Sequence, residues 1–270
     1  MGIFSRLFSK KEKAISQINE KPDHWDFYFL NVDDVISSIY LNLSLAEKSK
    51  NSSYGTLFWF SLKMNNPRED GLSSQEEFDF LQKFEDNLIS FVSNNIDGTY
   101  VGRLTTNGRR DFYFYVSDGA ILESSIPLFM EGFSNYAYES RSIMDSEWEQ
   151  YYNFLYPSPR DLQKIMNRGV VGQLERNGDN LTKARNVFHW IYFRNEISMN
   201  EFIKQAIDWE YKIENSVFDK ALGEHPYVLS ISRIDFVDYS RIDEHTLPLW
   251  ELAHENNAKY DGWETSVEKE

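Results

Sequence analysis

At 270 residues the chain exceeds the usual single-domain size, so two domains are expected, and a 41% hydrophobic fraction with 16% aromatics excludes general disorder. It contains no cysteine, which excludes disulfides, thiolate nucleophiles, cysteine-type zinc sites and iron–sulfur clusters. The net charge of −15 repels phosphate backbones, which argues against direct nucleic-acid binding and suits a basic protein partner.

The first segment, "MGIFSRLFSKKEK", is basic, with Arg6, Lys10, Lys11 and Lys13 against Glu12. Ile3, Phe4, Leu7 and Phe8 fall at helical spacing, the pattern of a weak interfacial helix, but residues 1–20 read better as a basic tail or a docked first helix. The apolar run is too short for a signal peptide or a membrane span, and Arg6 stands where a myristoylation motif requires Ser or Thr. A cytoplasmic chain without stable membrane association is expected.

A first domain is expected over residues 21–156. "DFYFLNVDDVISSIYLNL" reads as two strands around a turn at Asn31–Asp34, and "GTLFWFSLKM" as a third. Ser74 followed by Glu77 resembles a capping box and opens a helix to about Ser93, with Phe78, Leu81, Phe84, Leu88 and Phe91 on one stripe. "TYVGRLTTNGRRDFYFYV" predicts a hairpin whose Asn107-Gly108 suits a type I′ turn. A short helix over Leu122–Phe133 and a strand in "NYAYESRSIM" complete an antiparallel sheet covered by helices.

"SEWEQYYNFLYPSPRDL" joins the halves, and Pro157 and Pro159 mark the boundary of a second domain over 157–270. A helix from Ser158 or Pro159 to about Arg176 precedes strand "VFHWIYF", helix "SMNEFIKQAIDWE", strands "KIENSVFD" and "YVLSISRIDFVD", helix "TLPLWELAHENN" and strand "YDGWETSV". That order is βαββαβ, a ferredoxin-like sheet with its first and third strands central and its last at an edge. The fold class expected is α+β, with two domains that are each an antiparallel sheet carrying helices.

No phosphate loop, dinucleotide fingerprint, zinc-protease motif or nucleophile elbow occurs, and the five histidines are not spaced as ligands on one helical turn. No catalytic residue, metal or cofactor is therefore expected. Arg103, Arg109 and Arg110 lie among strand aromatics, a pattern that can stack nucleobases, but core packing with charges at a hairpin tip explains it better in an acidic chain. Asp179, Lys183 and Arg185 share one loop, where Lys183 and Arg185 are candidate anion ligands against the simpler reading of a solvated loop. From Asp235 to Glu270 there are 10 acidic and 3 basic residues, the most acidic stretch of the chain.

"NLTKARNVFHWIYFRNEISMNEFIKQAIDWEYKIE" and "LPLWELAHENNAKYDGWETSV" resemble the regulator of ribonuclease activity B (RraB) family. The likeness lies in a Leu-Ala helix followed by the Tyr260–Thr265 segment, and in His189 on the first strand. The first half, with "GLSSQEEFDFLQKFEDNL" and the hairpin, looks like the bacterial domain of unknown function 695. The resemblance implies a ferredoxin-like second domain and an acidic, non-enzymatic protein that binds an endoribonuclease of the RNase E type, or another basic protein. It differs from that family in its added N-terminal domain and in ending "SVEKE" instead of a long acidic tail. An antagonist of a toxin or effector is the alternative, and a small-ligand protein or hydrolase with a site between the domains is a third. The residues expected to meet a partner are Tyr260, Asp261, Trp263 and Glu264, with His189 beside them, weighed against Trp263 as helix–sheet core and Gly262 as a bulge.

Overall fold

The computed structural model describes residues 23–32, 34–46 and 54–269. The basic tail or helix expected over residues 1–20, with Gly2, lies outside them. The chain divides into two compact units, one around Tyr40–Phe154 and the other around Leu155–Glu270, which also takes in Phe27–Ile39.

Six strands form the first sheet: β1 (Trp25–Val32), β2 (Val35–Asn42), β3 (Thr56–Lys63), β4 (Gly98–Thr106), β5 (Arg109–Val116) and β6 (Tyr138–Met144). Their order is β1-β2-β4-β5-β3-β6. The pairs of β5 with β4 and β3, and of β3 with β6, are antiparallel. Asn107 and Gly108 both take positive φ, 45° and 72°, the signature of the type I′ turn that the sequence predicts.

Two helices, α1 (Gln75–Asn95) and α2 (Gly119–Met130), cover one face. Phe58, Phe60 and Leu62 of β3 and Phe112, Phe114 and Val116 of β5 meet Leu81, Phe84, Leu88 and Val92 of α1 and Leu122, Ile126 and Met130 of α2. Each such side chain contributes about 1.5–3 kcal/mol by leaving water. Only half of the expected capping box forms. The Ser74 hydroxyl accepts from the Glu77 N–H at 3.3 Å, but the Glu77 carboxylate turns to the Asn65 and Asn66 N–H groups, both at 2.9 Å. That acid anchors the loop after β3.

On the opposite face Trp148 stacks on Tyr115 at 4.0 Å. A π-helical turn at Gln150–Leu155 follows, and the Tyr151 hydroxyl donates to the Asn42 carbonyl at 2.7 Å. Two of the three hairpin arginines are internal. Arg103 donates to both Glu85 oxygens at 2.6 and 2.8 Å, and buried Arg110 donates to Thr105 and Ser73. This is the packing reading of the arginine–aromatic pattern.

The second unit runs α3 (Pro159–Arg176), β7 (Arg185–Phe193), α4 (Glu196–Asp208), β8 (Lys212–Phe218), β9 (Tyr227–Asp235), α5 (Ile242–Glu255) and β10 (Lys259–Thr265). Its four strands are antiparallel in the order β10-β7-β9-β8, the ferredoxin-like arrangement with β7 and β9 central and β10 at an edge. Alternation in β7 sends Val187, His189, Ile191 and Phe193 inward. Ile191 and Phe193, with Leu229 and Ile231 of β9, pack on Met199, Phe202 and Ala206 of α4 and Leu249 and Ala253 of α5. A second cluster joins Val187 and Trp263 to Val171 and Leu174 of α3 and to Ile242.

Candidate partner-binding site

The end of α5 sets the start of β10. Asn257 takes φ 51° and the Ala258 N–H returns to the Ala253 carbonyl at 2.8 Å, which closes the helix and releases the chain as a strand. β10 then pairs along β7, with Tyr260 opposite Ile191, Gly262 opposite Trp190, Trp263 opposite His189 and Glu264 opposite Phe188. The register slips at Asp261, so the bulge expected at this glycine is present. Gly262 has φ 114°, and a Cβ there would meet nothing within 4 Å, so backbone conformation and not crowding calls for glycine.

The bulge keeps both aromatics of the segment on the helix side. The Tyr260 hydroxyl is hydrogen-bonded to His189 Nδ1 at 2.8 Å. His189 is fully buried, and its Nε2 has no hydrogen-bond partner. Burial, and then the positive charges of Arg233 and His245, lower its pKa to about 3, so the imidazole is neutral. Burial raises the Tyr260 hydroxyl well above the usual tyrosine value.

Trp263 is held at its indole. Nε1 donates to Asn167 Oδ1 at 3.1 Å, and Gln163 Nε2 donates to the same oxygen at 3.0 Å. The Asn167 amide in turn donates to Thr246 Oγ1 at 2.6 Å and to Asp243 at 2.7 Å. Asp261 and Glu264 lie on the solvent side, Asp261 beside Lys259 at 2.7 Å. The five residues therefore share one strand pair but divide across it. His189, Tyr260 and Trp263 are packed, while Asp261 and Glu264 face water.

Residues 23–156 match the family of unknown function DUF695, and residues 164–265 match the family "Regulator of ribonuclease activity B". The two matches follow one another along the chain, DUF695 in the first part and RraB in the second. No curated protein matches it. Among solved structures, one named for a proposed role as a glycine cleavage system transcriptional repressor is 9% identical and covers 78% of this chain and 98% of its own, with a TM-score of 0.24. An unknown protein from Galdieria sulphuraria is 10% identical and covers 79% and 99%, with a TM-score of 0.23. Likeness at this level carries no argument.

The two candidate anion ligands of the RraB domain are separated in environment. Arg185 is buried and grips Asp179 through both terminal nitrogens, Nη2 to Oδ1 at 3.0 Å. It also donates to the Ser266 carbonyl at 3.0 Å, and Asp179 accepts from the Leu181 and Glu268 N–H groups at 2.8 and 2.7 Å. Arg185 chiefly, with those N–H groups, holds the Asp179 carboxyl at about 2, against burial. Lys183 is exposed. Arg185 is thus a clamp on the segment after β10.

Sequence reasoning missed Asn167, Gln163 and Thr246. The available signal was Gln163 and Asn167 sitting four apart on the apolar stripe of α3 that includes Val171 and Leu174. Among the described residues no cluster of three metal-ligating side chains occurs, and no helix is long and apolar enough to cross a membrane.

Proposed function

We propose that this chain is a non-enzymatic, acidic regulator that binds a protein partner, a ribonuclease of the RNase E type or another basic protein, through the outward side of its RraB domain. The observation that carries the reading is the match of residues 164–265 to a family of regulators of ribonuclease activity. The net charge of −15 supports it by favouring approach to a basic surface. So does the edge position of β10, where Asp261 and Glu264 point to solvent while the aromatics of the same strand are packed. Within this reading Asp261 and Glu264 contact the partner, and His189, Tyr260 and Trp263 hold the strand that presents them.

The test measures cleavage of a structured RNA by an RNase E-type endoribonuclease with and without the full chain. Slower cleavage is expected, and the doubly reversed variant Asp261→Lys/Glu264→Lys should slow it less. No effect of the wild-type chain, together with no ribonuclease recovered on it from native extracts, would sink the proposal.

A further inference from the structure

A second site lies in the DUF695 domain and is independent of the RraB reading. On the face of β3 that carries Trp59, Ser61 and Lys63, opposite Phe58, Phe60 and Leu62, a cleft of about 300 Å³ is lined by those first three residues, Arg109 and Glu139, among others. Its volume is at the lower end of the range typical of small-molecule sites.

Lys63 and Arg109 are directly opposite each other in the β3–β5 register. Like charges so placed repel, and among the described residues no ion pair engages Lys63. Arg109 is positioned from below. Its Nε donates at 3.2 Å to Asp111, a carboxylate only 2% exposed whose other oxygen has no hydrogen-bond partner. The guanidinium is therefore fixed at one nitrogen and leaves its terminal fork for something else, the geometry that suits a carboxylate or phosphate. Trp59, on the same face of β3 four residues from Lys63, supplies a flat wall. Arg141 stands opposite Trp59 on β6 and lines an adjoining cleft of about 150 Å³. Two cations, Lys63 and Arg109, thus line this cleft with Trp59 against one acid, Glu139, while Arg141 lines the adjoining one.

We propose that this cleft binds a small planar anion, its ring against Trp59 and its carboxylate or phosphate held between Lys63 and Arg109.

Calorimetric titration of the full chain with AMP, indole-3-acetate and inorganic phosphate tests this. Saturable binding of AMP alone assigns a phosphate ligand, and of indole-3-acetate alone a carboxylate; either supports the site if Lys63→Gln weakens it about tenfold, the loss of one charge-assisted contact. Lys63 is exposed, so that variant keeps its fold, which thermal melting verifies. Trp59→Leu should weaken both ring-bearing probes and leave inorganic phosphate unchanged. The proposal is overturned by no saturable heat from either ring-bearing probe at ~10 mM. It is equally overturned if inorganic phosphate binds as tightly as AMP, or if affinity is unchanged in Lys63→Gln.

Discussion

His189 Nδ1 and the Tyr260 hydroxyl lie 2.8 Å apart across β7 and β10, while the other ring nitrogen of His189 has no hydrogen-bond partner. The pair lies under α4 and α5, where Tyr211 approaches the imidazole edge-on at 5.6 Å. A charged imidazole there would lose its water and face Arg233 and His245, so the site tolerates only the neutral ring. This makes His189 a determinant of acid stability and argues against its acting as a base near neutral pH.

The direction follows from linkage. The folded-state value is about 3 against an ordinary 6.5, so below pH 6.5 the unfolded chain takes up a proton that the native state refuses. The stability from the neutral ring is complete above pH 6.5 and falls by about 1.4 kcal/mol per pH unit as pH drops toward 3. The Asp179 carboxyl, held at about 2, adds its own loss only below its ordinary value of 3.8. Urea unfolding between about pH 7.5 and 4.5 spans the histidine's window and stays above that of Asp179. A His189→Gln variant should be less stable at neutral pH and show a shallower pH dependence. An equal slope in both proteins would place the titrating group elsewhere.

Trp263 separates packing from contact. Trp263→Ala removes a side chain 7% exposed and should cost about 3–5 kcal/mol. Trp263→Phe keeps most of the volume but leaves Asn167 Oδ1 with only Gln163, at about 1 kcal/mol. Asp261→Asn breaks only the exposed pair with Lys259 and should change stability by less than about 0.5 kcal/mol. Denaturant midpoints for the three variants check the ranking. A Trp263→Ala protein as stable as wild type would mean that the indole is there for a partner.

In the second unit the strand order, the edge place of β10 and the bulge were legible from element order and local pattern, whereas the β1-β2-β4-β5-β3-β6 order of the first sheet was not. Alternation marks strands, Ser74 and Ser158 mark helix starts by accepting the N–H three residues on, and Gly262 marks a backbone that other residues avoid. What was not legible depends on partners distant in sequence. Glu77 had to be seen beside Asn65 and Asn66, and Asn167 beside Trp263, 96 residues away. The π-helical turn after Trp148 carries no pattern of its own, and stacking on Tyr115 holds that residue in place. In the cleft around Lys63, the decisive fact was a register across two strands.

Two glycines of β4 and its hairpin differ in what they forbid. At Gly108 a Cβ would find Pro67 at 3.5 Å, an ordinary contact, so only the φ of 72° opposes substitution. Gly108→Ala should cost about 1 kcal/mol. At Gly102 a Cβ would stand 2.4 Å from the Tyr40 carbonyl oxygen, against backbone that cannot swing aside. Gly102→Ala should cost more, about 2–3 kcal/mol, through displacement of β2. Thermal melting of both variants tests the order, and equal losses would contradict it.

The Asp179–Arg185 pair yields the sharpest stability prediction. Both side chains are buried, and together they hold the Ser266 carbonyl and the Glu268 N–H, so the residues after β10 are tied to the loop before β7. Asp179→Asn leaves Arg185 charged, buried and without its counter-charge, which should cost about 3–5 kcal/mol. Replacing both, Asp179→Leu/Arg185→Met, removes the charge imbalance and should recover part of that loss, while Ser266 and Glu268 lose their anchors. Hydrogen exchange at Glu268 should then rise in both variants, because its N–H has lost the carboxylate that accepts it. Unchanged exchange there, with the fold intact, would show that the segment is held by something other than this clamp.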